Sequence, residues 1–132
     1  MSRLWLSVVI AALGLVSSSL PGSAANDCVP KDIFFTDRID LRNPGQHLGA
    51  KAAGIEKLYL YVAMDCAHAD ENEQFGVRWF FNGKVLQTQA IPLGVSPNWR
   101  TFSYATARSG RWRVELSWAS GSVFAAQEIQ IE

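Results

Sequence analysis

The hydrophobic positions of this chain recur with a period of two rather than 3.6. Between Arg111 and Trp118, the residues Trp112, Val114, Leu116 and Trp118 alternate with Arg111, Arg113, Glu115 and Ser117. A strand patterned in this way keeps one face in a core and the other in water. Ile55 to Met64 sets Leu58, Leu60, Val62 and Met64 on one side, and Phe75 to Phe81 does the same with Phe75, Val77, Trp79 and Phe81. The latter run leads into Asn82-Gly83 and then Lys84 to Leu93. Asn-Gly between two strand-like runs predicts a hairpin, because both central residues of a type I′ turn take positive φ.

Ile33 to Ile39, Trp99 to Ala105 and Ser122 to Ile131 complete a set of seven predicted strands, the last entered through Ala119-Ser120-Gly121. Helical stripes, internal repeats and low-complexity tracts are missing from the pattern. The expectation is an all-β fold, an immunoglobulin-like antiparallel β-sandwich of about seven strands. Asn43-Pro44-Gly45 and Ser96-Pro97-Asn98 mark irregular connections, and Ala67 to Gln74 reads as a polar loop rich in acids. Trp79, Trp112 and Trp118 fall on apolar strand faces, where each buried ring removes roughly 150–250 Å² from water.

The N-terminal segment has a different pattern. Arg3 precedes an unbroken run from Leu4 to Val16 in which only Ser7 is polar, followed by small residues ending Ser23-Ala24-Ala25. This is the layout of a secretory signal peptide over residues 1–25, cleaved after Ala25 or Ala24. The apolar run is shorter than the ~20 residues that a membrane-crossing helix needs, and Pro21 and Gly22 stand against a retained anchor. Asn26 and Asp27 before Cys28 do not resemble a lipoprotein cleavage box. Residues 26–132 are then expected to form a single sandwich domain, periplasmic or secreted, with no membrane span after cleavage.

Export changes how Cys28 and Cys66 are read. In an oxidising compartment two cysteines form one disulfide, here expected to pin the first strand to the end of the second. Closing that loop removes about 4 kcal/mol of unfolded-chain entropy. A metal or thiol-catalytic pair is the competing reading, and the long spacing opposes it.

Charge narrows the partners. The chain has 12 basic and 12 acidic residues, a formal net charge of zero, and 48% hydrophobic content. Such a composition excludes disorder and removes the diffuse phosphate attraction of a non-specific nucleic-acid binder. Residues 26–73 hold nine acids against five bases, whereas 74–132 hold six bases against three acids. That asymmetry is either a solvated surface or a basic face for an acidic partner.

Several segments together resemble a bacterial domain-of-unknown-function family, number 2914. They are Val77-Arg78-Trp79-Phe80-Phe81-Asn82-Gly83-Lys84, Ile91-Pro92-Leu93-Gly94-Val95, Trp99-Arg100-Thr101-Phe102-Ser103, Gly110-Arg111-Trp112-Arg113-Val114-Glu115 and Gly121-Ser122-Val123. The resemblance spans Val77 to Ile131 and implies an extracytoplasmic all-β module. A His commonly stands in that family two residues before the hairpin Trp, and here the position is Val77, so chemistry tied to that His is not carried over.

Catalytic signals are weak. His47 and His68 lie in no metal spacing, and no G-x-S-x-G, P-loop, G-x-G-x-x-G or H-E-x-x-H is present. Asp65, Asp70, Glu71 and Glu73 crowd one loop as weak Ca²⁺ candidates, without EF-hand spacing. The sequence therefore predicts a non-enzymatic interaction module without a cofactor. Exposed aromatics and arginines carry most interface energy, which singles out Trp99, Arg100, Arg111 and Arg113 as binding residues. An envelope protein, bound in the manner of an inhibitor or immunity factor, is the expected partner. Glycan or peptidoglycan binding through an exposed aromatic, and a structural accessory role in the envelope, are the alternatives.

Overall fold

The computed structural model describes residues 28–70 and 72–132. The expected signal peptide and Glu71 lie outside the described residues. Those described form ten strands: β1 (Val29–Thr36), β2 (Ile39–Asp40), β3 (Asn43–Pro44), β4 (Lys51–Ala52), β5 (Lys57–Asp65), β6 (Gln74–Phe81), β7 (Lys84–Pro92), β8 (Trp99–Thr106), β9 (Gly110–Trp118) and β10 (Val123–Ile131). No helix among them is long and apolar enough to cross a membrane. The seven long strands correspond to the seven expected from periodicity; β2, β3 and β4, of two residues each, are too short for any period to show.

Two sheets face each other, one ordered β1-β5-β8 and the other β4-β10-β9-β6-β7, while β2 and β3 pair as a separate small hairpin. All long pairings are antiparallel, and the short β4 runs parallel to β10. The core lies where the alternation places it. Leu58, Leu60, Val62 and Met64 of β5 meet Phe75, Val77 and Trp79 of β6 and Trp112, Val114 and Leu116 of β9, all buried. Trp79 and Trp112 are fully buried and meet edge to face, ring centroids 5.9 Å apart. Burying two indoles contributes on the order of 10 kcal/mol gross from water exclusion at ~25 cal/mol/Å². Trp118 is half-buried and stacks on Phe124 at 3.9 Å.

Local chemistry explains the boundaries. Asn82 and Gly83 have φ of 49° and 85° and join β6 to β7, as a type I′ turn requires. β1 starts at Val29, earlier than the expected Ile33, because an edge strand tolerates Pro30 and the register shifts between Pro30 and Asp32. Cys28 and Cys66 form the disulfide just before β1 and just after β5, with Cα atoms 4.3 Å apart across 38 positions. The covalent link therefore clamps one end of two paired strands, and both cysteines are buried.

The segment expected to be an irregular connection around Asn43-Pro44-Gly45 is ordered by the β2–β3 pairing. Ile39 faces Pro44 and Asp40 faces Asn43, so Leu41 and Arg42 form the two-residue tip, with φ of 51° and 72°. The hairpin is tied back to β1 by the Leu48 N–H donating to the Phe35 carbonyl at 2.9 Å.

Candidate functional site

The antiparallel register fixes what the outer face of the three-stranded sheet displays. Directly opposed residues share a face, which gives three rows: Asp32–Ala63–Arg100, Phe34–Tyr61–Phe102 and Thr36–Tyr59–Tyr104. An outward row of aromatics is costly unless something covers it. At the β1 side something does: Phe34 and Tyr61 are buried, and His47 packs on Phe34 with centroids 4.1 Å apart. At the β8 side the cover ends, leaving Phe102 and Tyr104 at 41% and 48% exposure. Tyr59 holds both, 5.8 Å from Phe102 and 5.5 Å from Tyr104, and the Lys57 ammonium lies 5.0 Å from the Tyr104 ring centre.

Beside these rings, the β2–β3 hairpin and the start of β8 enclose an open groove of about 410 Å³ lined by Ile39, Arg42, Tyr61, Trp99, Arg100 and Phe102, among others. The Arg100 guanidinium donates to Asn43 Oδ1 at 3.3 Å, which ties the groove's two walls together. Among the described residues, neither Arg42 nor Arg100 pairs with a carboxylate. Asp32 lines the adjoining groove with Arg100 but makes no ion pair with it. The walls are thus aromatic, with two unneutralised guanidinium groups.

The four residues singled out from sequence do not form one surface. Trp99 shares the inward face of β8 with Ser103 and Ala105 and meets Phe75 edge to face at 5.9 Å, half-buried at the core's margin. It also lines the groove. Arg100 points outward and is exposed. Arg111 and Arg113 belong to β9 in the other sheet, where the register sets Arg113 opposite Glu128. Arg113 Nη1 donates to Glu128 Oε2 at 2.7 Å, its Nε and Nη2 donate to Glu115 Oε2 at 3.1 and 3.0 Å, and Arg111 lies 3.8 Å from Glu128 Oε1. Hydrogen bonds to Glu115, then to Glu128, raise the Arg113 pKa above the ordinary guanidinium value. These two arginines are internally neutralised, unlike Arg42 and Arg100.

The acidic loop makes turn contacts. Asp65 Oδ1 accepts the Ala67 N–H at 3.1 Å, and Glu73 Oε1 accepts the Asp70 N–H at 3.1 Å. No group of three His, Cys, Asp or Glu among the described residues is placed to hold a metal ion. Arg42 was not legible as a site residue, because its place depends on the hairpin. The only sequence hint was a strand-like Ile39-Asp40 before Asn43-Pro44, with no Asn-Gly between them.

Comparison with known proteins agrees with this architecture. No curated protein matches the chain in sequence. An immunoglobulin-like protein from Pseudomonas aeruginosa superposes with a TM-score of 0.60 at 8% identity, over 83% of this chain and 99% of that one. The CARDB domain of a Pyrococcus furiosus protein, solved with di-metal ions, gives a TM-score of 0.41 at 12% identity, over 79% and 90%. The former likeness establishes an immunoglobulin-like fold. Residues 72–131, from just before β6 through β10, match the family described as "Protein of unknown function (DUF2914)".

Proposed function

We propose that this protein is an exported, non-enzymatic binding domain that recognises an envelope protein through the outer face of its small sheet. One observation carries the reading: exposed Phe102, with exposed Tyr104 beside it, lines a groove with Arg42 and Arg100, two arginines with no carboxylate partner among the described residues. Aromatic and arginine side chains that neither build a core nor neutralise a neighbour are the usual anchors of an interface. The disulfide supports an oxidising compartment. Protein is favoured over glycan as the ligand because the planes of Tyr59, Phe102 and Tyr104 are inclined to one another by 36–67° and offer no common platform for sugar rings. An inhibitory or immunity-type role is served by the same face.

The test is site-specific photo-cross-linking in the cell that makes the protein, with benzoylphenylalanine in place of Phe102 or, as a control, of Thr88 on the other sheet. A discrete protein adduct from position 102 that is missing from position 88 supports the reading. Equal products from both positions, or none, overturn it, and an adduct with murein or another glycan replaces it with the carbohydrate alternative.

A further inference from the structure

The two sheets are unequal in a way that leaves one edge unfinished. Four long strands, β10, β9, β6 and β7, face only three, β1, β5 and β8. β8 lies over β6, as the Phe75–Trp99 contact and the hydrogen bond from Trp79 Nε1 to Ser103 Oγ demonstrate. No strand among the described residues covers β7. Its inward positions, set by pairing with the buried Phe75, Val77 and Trp79, are Ile91, Gln89 and Gln87. Two of these three are amides and Gln89 is exposed. A groove of about 390 Å³ runs between these glutamines and the rim of β8.

That rim carries free backbone groups. Gln87 Nε2 donates to the Tyr104 carbonyl at 3.2 Å, so the Tyr104 backbone points away from β5. The β5–β8 register is unbroken from Lys57↔Thr106 to Met64↔Trp99. Backbone direction alternates in such a ladder, so Arg100, Phe102 and Thr106 also turn their N–H and C=O groups outward. Gln87 is the one group among the described residues that hydrogen-bonds to this edge. β7 and β8 contain no acidic residue, and Lys84, Arg100 and the nearby Lys57 and Arg42 make the surroundings cationic.

We infer that an extended, acidic segment of the partner adds to β8 as a fourth strand of the small sheet. Its backbone pairs with Arg100, Phe102, Tyr104 and Thr106 and takes the Tyr104 carbonyl from Gln87. One set of its alternating side chains covers Gln87 and Gln89, and the other lies beside Phe102 and Tyr104, where carboxylates meet Arg42, Arg100 and Lys57. Strand addition draws affinity from main-chain bonds and specificity from alternate side chains. This inference rests on the protein-binding reading given above.

The probe is a ten-residue peptide alternating threonine with glutamate, at millimolar concentration with the disulfide-bonded protein. A lysine counterpart and a copy N-methylated along one edge serve as controls. The acidic peptide should slow amide hydrogen exchange at Phe102, Tyr104 and Thr106 by roughly tenfold or more and leave β1, at the far edge of the sheet, unchanged. The two controls should leave the β8 and β1 amides alike unchanged. Unprotected β8 amides, or equal protection by the lysine peptide, overturn strand addition, even where cross-linking at position 102 still captures a protein. A protein that sediments alone as a dimer with these same amides protected places a second copy on the edge and likewise overturns the acidic partner.

Discussion

The indole N–H of Trp79 on β6 donates to the hydroxyl of Ser103 on β8 at 2.8 Å, and both side chains are buried. This is a polar link between the two sheets through the core, and it continues outward because Ser103 in turn donates to Gln89 Oε1 on β7. The core is thereby connected to the unfinished edge. Ser103→Ala strands a buried indole donor, which costs about 1–3 kcal/mol. Trp79→Phe removes the donor along with much packing, so the double variant should be less destabilised than the sum of the two. Urea unfolding of the four proteins measures the coupling, and strict additivity would show the hydrogen bond to be inert.

The disulfide gives a second, independent stability prediction. Cys28 and Cys66 enclose a loop of 38 positions, and replacing both by Ser should lower unfolding free energy by about 4 kcal/mol. The loss should appear as a lower urea midpoint, and reduction of the native protein should reproduce it. A change under about 1 kcal/mol would mean that the unfolded chain is already compact when reduced.

Arg113 and Arg100 should separate stability from recognition. Arg113→Ala removes three charge-assisted hydrogen bonds, but in a partly exposed network worth about 1 kcal/mol or less. Its raised pKa contributes stability that is fully present below the ordinary guanidinium value and is lost only as pH rises through the still higher folded value. Arg113 should therefore add no titration step to stability at neutral or mildly alkaline pH. Arg100→Ala should leave the unfolding free energy within about 0.5 kcal/mol of the wild type and abolish the adduct from position 102. Loss of the adduct in Arg113→Ala as well would tie recognition to the other sheet.

The Leu41-Arg42 tip should trade stability against binding. Positive φ at both residues suits Asn and Gly, whereas Leu and Arg each raise the energy there by about 1 kcal/mol. Leu41→Asn with Arg42→Gly should raise the melting temperature by several degrees. The same change removes a groove arginine and the large apolar side chain of Leu41, at 92% exposure, and should weaken capture of the partner. A variant that is stabilised and still captures the partner normally would show that the strain serves no recognition.

These cases also show how far the sequence could be read. The β6–β7 hairpin was legible because Phe75 to Phe81 keeps period two up to Asn82-Gly83, and β9 because four apolar residues alternate without a break. The β2–β3 hairpin was not, since its strands span a single repeat each and its tip violates turn preference. Arg100 and Arg113 are the same residue type on adjacent strands of the chain. Arg113 has Glu115 two positions on along the same strand face, a neighbour that the alternation makes visible, whereas its second partner Glu128 is set by the β9–β10 register, a long-range property.

Gly94 offers a final prediction where sequence and packing meet. It lies in the connection from β7 to β8, and a Cβ built there would fall against the Trp99 indole. Trp99 is itself held by Phe75 on one side and forms part of the groove on the other. Gly94→Ala must displace the indole or shift the connection, and overpacking of this kind costs about 1–3 kcal/mol. The displacement should move the Trp99 indole N–H resonance in a ¹⁵N spectrum while the Trp79 and Trp112 resonances, deep in the core, stay in place. Because Arg100 follows Trp99 directly, the same variant should weaken partner capture without removing any groove side chain. An unchanged Trp99 resonance would mean that the connection, rather than the ring, gives way.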